Sequence, residues 1–219
     1  MAYLSKKIQA IEPYTAGDQP QGPCIKLNTN ENPFPPSPRV QKAIEEQIPL
    51  LNLYPQIGAE TLVAAIAQRE GLPEDWVFAG NGSDELITVL FTGFLQKGEA
   101  FATLEPDFSM YAFYTSITET PCITLPKKPD MTVDVTAVID TIRREGVRLL
   151  IFSNPCNPTS VGLPRDGVRR ILRETDALVV LDEAQQIKNA ASVGAEAARR
   201  LPAKARFCLL YTSDAADEE

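Results

Sequence analysis

Apolar positions in the first part of the chain recur at helical spacing. Val40, Ala43, Ile44, Gln47 and Ile48 make a mostly apolar stripe, and Ser37 with Pro38 ahead of it reads as an N-cap followed by a first-turn proline. Residues 58–70 read as a second helix, with Leu62, Ala65 and Ile66 on one face and Gly71 as its stop. Beyond that point short unbroken apolar runs alternate with amphipathic stretches. WVFA (76–79), AFATL (100–104), PCITL (121–125), RLLIFS (148–153) and ALVVL (177–181) are the strand candidates. Between them ELITVLFTGFLQ (85–96), EPDFSMYAFYTSI (105–117), VDVTAVIDTIRRE (133–145) and LPRDGVRRILRET (163–175) read as helices. Strands separated by helices of this length pair in parallel through crossovers. Unbroken Val/Ile/Leu runs, unlike alternating ones, belong to a sheet covered on both faces. The expectation is an α/β chain: an α/β/α sandwich on a mainly parallel sheet, built from residues 37–184. Residues 1–36, Pro-rich and ending in LNTNENPFPP, read as an extended N-terminal arm.

Composition narrows the chemistry. The 219 residues carry 21 Lys+Arg against 29 Asp+Glu, a net charge of −8, and no histidine. An acidic balance argues against a nucleic-acid or anionic-membrane surface, which needs clustered Lys and Arg. Without histidine there is no His-based metal site, no Ser–His–Asp triad and no Cys–His dyad. Cys24, Cys122, Cys156 and Cys208 form no CxxC pair, so zinc-ribbon and thioredoxin readings fail, and isolated thiols suit a reducing compartment. The first twenty residues hold no continuous apolar stretch, and runs such as VRLLIF and ALVVL are far short of the roughly 20 residues that span a bilayer. A cytoplasmic protein without a membrane anchor is expected.

In open α/β sheets ligands bind at the carboxyl ends of the strands, and three motifs fall there. GNGSDE (80–85) lies between a strand and a helix; it is either a plain helix start capped by Ser83, or an anion site in which free amides and the Ser83 hydroxyl meet a phosphate. SNPCNPTSVG (153–162) packs two Asn–Pro pairs into five residues; it is either an ordinary Pro-rich turn or a stiff loop whose Asn157 amide donates to a phenolate-type oxygen. LDEA (181–184) sets Asp182 at a strand tip, as a helix cap, a magnesium-holding acid, or the ion-pair partner of a protonated pyridine nitrogen.

Together, and in this order, these motifs resemble the large domain of fold-type I pyridoxal-phosphate (PLP) aminotransferases. LNTNENPFPPSP and YPQIGAETL are similar to the histidinol-phosphate aminotransferase branch. The resemblance covers about residues 4–184, roughly the first half of such an enzyme. It implies PLP as cofactor, with Ser83, Asp84 and Glu85 at its phosphate. Tyr111 would stack on its ring, Asn157 would hydrogen-bond the ring's 3′ oxygen, and Asp182 would pair with the pyridine N–H. Tyr54 would reach the phosphate of a neighbouring subunit, which implies a homodimer, while Tyr14 and Asn32 would lie near the substrate. The implied activity is amino transfer between histidinol phosphate, or a related amino acid, and 2-oxoglutarate in histidine biosynthesis. The implied mechanism turns on Asp182, because a buried carboxylate keeps the ring nitrogen protonated and lets the ring act as an electron sink.

The resemblance also implies a Schiff-base lysine in a Ser-Lys motif well after the DEA segment. Only Lys188 and Lys204 follow Asp182, and neither has serine before it; Gln185 stands where the family carries tyrosine. Residues 181–209 instead resemble the DEAQ box of Swi/Snf-type helicase-like ATPases, although the chain has no GxxxxGK[ST] phosphate loop. LLYTSDAADEE resembles a translated library adaptor. Residues 185–219 therefore read as a non-family tail joined near Leu181–Ala184, or as the helical tail of a divergent aminotransferase. The rival functions are a DEAQ-type ATPase fragment and a non-catalytic remnant.

Overall fold

The computed structural model describes residues 3–11, 22–26, 32 and 34–183. The chain divides into two units at Glu60 and Thr61. The first holds a short helix α1 (Lys6–Gln9), helix α2 (Pro38–Gln47) and a 3-10 turn at Ile48–Leu50. Helix α2 starts where Ser37 and Pro38 predict. Its cap differs in kind: the Ser37 hydroxyl makes no cap, and the Ser37 carbonyl accepts from the Val40 and Gln41 amides. Val40, Ile44 and Ile48 of the apolar stripe are exposed.

The second unit follows from the alternation of runs. Helices α3 (Glu60–Glu70) and α4 (Ser83–Phe94) precede β1 (Phe101–Glu105). Then come α5 (Met110–Thr118), β2 (Cys122–Pro126), α6 (Val135–Glu145), β3 (Leu149–Ser153), α7 (Arg165–Glu174) and β4 (Leu178–Asp182). The four strands pair in parallel in the order β2-β1-β3-β4. Side chains along a strand alternate between faces, so an unbroken apolar run serves two cores. Phe101, Leu149, Ile151 and Val180 pack against Ile87, Leu90 and Phe91 of α4 and Tyr111 and Tyr114 of α5. Ala102, Leu104, Leu150 and Phe152 pack on the other face with Val138, Ile139 and Ile142 of α6 and Val168 and Ile171 of α7. This is the three-layer α/β/α arrangement expected. Helix α6 is bounded by its sequence signals: the Asp134 carboxylate accepts from the Ala137 amide at 3.1 Å, and Gly146 closes it in the left-handed region at φ 64°.

Two expectations fail locally. WVFA forms no strand: Glu74–Trp76 is a 3-10 turn, Val77–Gly80 is unpaired, and Trp76 and Phe78 are 54% and 65% exposed. A strand exists only through a ladder partner, and none of the described residues supplies one. In α3 the buried side is rotated: Ala67 is buried with Val63, Ala64 and Ile66 half-buried, whereas Leu62 and Ala65 are exposed. Among the described residues no helix is long and apolar enough to cross a membrane.

Candidate cofactor site

Parallel pairing puts the carboxyl ends of all four strands on one edge. Register aligns Ser153 with Asp182 and Glu105 with Pro126, so the residues just past β1 and β2 share that edge with the tips of β3 and β4. Asp182, 3% exposed, is the last residue of β4. Its Oδ2 accepts from the hydroxyl of fully buried Tyr111 at 2.7 Å, and its Oδ1 accepts from the Glu183 amide at 2.8 Å. Burial pushes the Asp182 carboxyl above its ordinary range. The bonds from Tyr111 and Glu183 pull against that shift, and the Glu183 and Asp107 carboxylates add to it. The Tyr111 hydroxyl is raised for matching reasons, burial first and the Asp182 charge next.

A second buried carboxylate shares the edge. Asp107, just past β1, accepts from the Ser153 hydroxyl at 2.5 Å and the Ser153 amide at 3.3 Å, and stands 3.6 Å from the Lys127 ammonium. Burial raises Asp107 while Ser153, the Phe108 amide and Lys127 pull it down. The Ser153 hydroxyl in turn accepts from the Asn157 amide at 2.9 Å. The Asn157 side-chain amide donates to Glu183 Oε1 at 3.2 Å, which brings the SNPCNPTSVG loop alongside Asp182. Asn154 pins the same loop: its backbone amide donates to the Asp182 carbonyl at 2.9 Å, and its side chain exchanges bonds with the Leu163 backbone at 2.8 and 3.2 Å.

Helix α4 opens at Gly82, whose φ of 85° favours glycine, and no side chain caps the first turn. The Glu85 carboxylate accepts from the Asn81 amide ahead of the helix. The Tyr114 hydroxyl is raised by burial and then by the charge of Asp84 in the first turn of α4. Tyr111 and Tyr114 lie three residues apart on α5, hence on one helix face. Through Tyr111 that face bonds Asp182 at the tip of β4, and through Tyr114 it comes under the charge of Asp84 in the first turn of α4.

The structure thus gathers Asp182, Tyr111 and Asn157. It places Tyr111 wholly inside, with its ring edge-on to Phe108 at 5.4 Å. Tyr54 is fully exposed, and Asn32 uses its Oδ1 to accept from the Phe34 amide at 2.9 Å; both lie in the first unit. Tyr14, Cys208, Lys188, Lys204 and the whole of 185–219 fall outside the described residues. Sequence reasoning missed Asp107, Lys127, Ser153 and Glu183. The rule that found Asp182, an acid at the carboxyl end of an apolar strand, also points to Asp107 after FATLE. Among the described residues no group of three or more His, Cys, Asp or Glu could hold a metal.

The sequence profile of the family described as Aminotransferase class I and II matches residues 22–204. Histidinol-phosphate aminotransferase 2 of Dechloromonas aromatica (strain RCB) is 37% identical over 188 residues, 83% of this chain and 52% of that protein. The histidinol-phosphate aminotransferase of Brachyspira hyodysenteriae is 36% identical over 186 residues, 84% of this chain and 51% of that protein. The chain spans about half the length of these curated relatives. Among solved structures, histidinol-phosphate aminotransferase from Sinorhizobium meliloti in complex with pyridoxal-5′-phosphate has a TM-score of 0.73 at 22% identity, covering 85% of this chain and 52% of that one. A Thermus thermophilus aspartate aminotransferase mutant has a TM-score of 0.66 at 20% identity, covering 83% and 51%. At those identities the structures speak for the fold, and the match to the profile over most of the sequence speaks for descent: the chain belongs to the aminotransferase class I and II family.

Proposed function

We propose that this chain is the cofactor-binding part of a PLP-dependent aminotransferase of the histidinol-phosphate type. The observation that carries the reading is the carboxylate of Asp182, buried at the tip of β4 and held from both sides by Tyr111 and the Glu183 amide. The residues fit the cofactor on their own chemistry. Burial and two acidic neighbours disfavour the charge on Asp182, and no basic side chain among the described residues is seen bonded to it. A protonated ring nitrogen is the partner such a carboxylate lacks. The uncapped first turn of α4 offers amides suited to a phosphate.

When bound, PLP supplies an electron sink for the charge left as a proton leaves the substrate's α-carbon. Asp182 would hold the proton on the ring nitrogen, with Tyr111 and the Glu183 amide fixing its two oxygens. Asn157, held through Ser153 by Asp107, would donate to the ring's 3′ oxygen. Ser83 and the first-turn amides of Asp84 and Glu85 would take the phosphate. Tyr111 would face the ring. Tyr54 would reach the partner subunit's cofactor in a homodimer, and Tyr14 and Asn32 would meet the substrate. Histidinol phosphate and 2-oxoglutarate are the proposed substrate pair, and the cytoplasm the proposed compartment. The relatives' printed names, at 35–37% identity, support this choice of substrate.

Equilibrium dialysis of the chain against PLP tests the reading. Asp182→Asn keeps the shape and removes the charge, and should weaken binding roughly 10- to 100-fold, the loss of about 1.5–3 kcal/mol from one charge-assisted bond. Equal affinity in the variant and the parent, with circular dichroism unchanged, would refute the role given to Asp182.

A further inference from the structure

Lys127 lies just past β2, and its side chain is 2% exposed. Its ammonium is enclosed by three acceptors: it donates to the Pro106 carbonyl at 2.7 Å, donates to Cys156 Sγ at 2.8 Å, and faces Asp107 Oδ2 at 3.6 Å. Cys156 is 4% exposed. Its amide donates to the Val161 carbonyl at 3.1 Å, and its carbonyl accepts from the Ser160 amide at 2.7 Å, which holds the main chain that carries the thiol. Two side chains 29 positions apart are thereby held in bonding register, nitrogen against sulfur.

The Lys127 ammonium at 2.8 Å favours the thiolate form of this sulfur. Burial and the Asp107 charge push the Cys156 thiol up, but Lys127 and Thr159 outweigh them, and the thiol lies below its ordinary range. Cys122 goes the other way, raised by burial and then by the Glu105 charge, and Cys24 is exposed. Of these three, Cys156 alone pairs an activated sulfur with an amine.

We propose that Lys127 and Cys156 form a redox-modification site, closing a sulfenamide cross-link when the chain meets a peroxide. The Cys156 thiolate attacks one peroxide oxygen. The O–O bond breaks, the sulfur loses two electrons to become a sulfenic acid, and the departing hydroxide takes a proton from the Lys127 ammonium to leave as water. The Lys127 nitrogen, now neutral, attacks the same sulfur. The S–O bond breaks, one N–H proton leaves with the hydroxyl as a second water, and an S–N bond remains. In sum, one thiol, one amine and one hydrogen peroxide give one sulfenamide and two waters. A thiol reverses the step by attacking sulfur and returning the amine. Closure ties the β2 tip to the SNPCNPTSVG loop and takes the Lys127 cation from Asp107, beside Asn157 and Asp182. The inference stands on Lys127 and Cys156 themselves and does not depend on a bound cofactor.

The test treats the full chain with a slight excess of hydrogen peroxide, without added thiol, and reads intact mass and a peptide map. The expected product has lost two hydrogens, joins the Lys127 and Cys156 segments in one peptide, and reverts with dithiothreitol. The map separates it from a disulfide of the same mass. Lys127→Arg keeps the cation but not the amine, and should cut the joined peptide at least about tenfold. The parent treated in urea should behave likewise, and carries the test should that variant not fold. Unchanged mass, Cys156 carried to sulfinic acid without the joined peptide, or equal cross-linking in urea would overturn the proposal.

Discussion

Tyr111→Phe isolates one contact at the centre of the site. It deletes the hydroxyl that donates to Asp182 Oδ2 at 2.7 Å and leaves the ring, its edge contact with Phe108 at 5.4 Å and its place in the α4–α5 core. Both partners are buried, so water does not replace the lost donor. A hydrogen bond to a charged group contributes about 1.5–3 kcal/mol, and that is the expected loss once pH exceeds the folded value of Asp182. The sign with pH follows from linkage. Asp182 sits above the ordinary carboxylate value in the folded chain, so the folded state holds its proton more tightly than the unfolded one. Its stabilising share is present below the unfolded value and fades as pH rises through the folded value. The Tyr111 bond favours the charged form, so its removal raises Asp182 further. The variant should therefore lose more above the folded value of Asp182, where the carboxylate forms, than below it, where a protonated carboxyl needs no donor. Urea unfolding followed by far-ultraviolet circular dichroism on both sides of that value reads the difference. A loss below about 0.5 kcal/mol, or one that does not change with pH, would refute the assignment of this bond as a charge-assisted one.

Lys127→Met removes the cation that faces Asp107, both side chains being 2% exposed. Breaking such a pair costs about 3–5 kcal/mol, and urea unfolding should show it near neutral pH, shrinking in acid as Asp107, already raised by burial, takes up a proton. Gly167→Ala in α7 would set a Cβ 2.8 Å from Leu163 Cδ1 and 3.0 Å from Val135 Cγ2. Overpacking of about 1–3 kcal/mol then outweighs the roughly 1 kcal/mol helix gain, so thermal unfolding should show a lower midpoint and not the higher one that propensity alone predicts.

Local pattern made most of the fold legible. AFATL, PCITL, RLLIFS and ALVVL are unbroken apolar runs because each serves two cores, and each is a strand within one residue of the expected bounds. WVFA shows the limit: its residues favour a strand, but pairing is a property of two segments. Helix α3 shows another, since Leu62 and Val63 are both apolar and only the packing partner decides which turns inward. That Asp182 ends a strand, Asn157 lies in the loop after one and Ser83 opens a helix was legible in the pattern. Asp107 with Ser153 and Lys127 with Cys156 were not, because these partners lie 46 and 29 residues apart and meet only once β1 is set between β2 and β3.

In the proposed function Asp182 holds a proton on the ring nitrogen of PLP. Nitrogen-15 NMR of PLP labelled at that nitrogen, bound to the chain at neutral pH, measures it directly. The expected chemical shift is that of a protonated pyridine in the parent chain and of an unprotonated one in Asp182→Asn. An unprotonated shift in the parent, or the same shift in both, would contradict it.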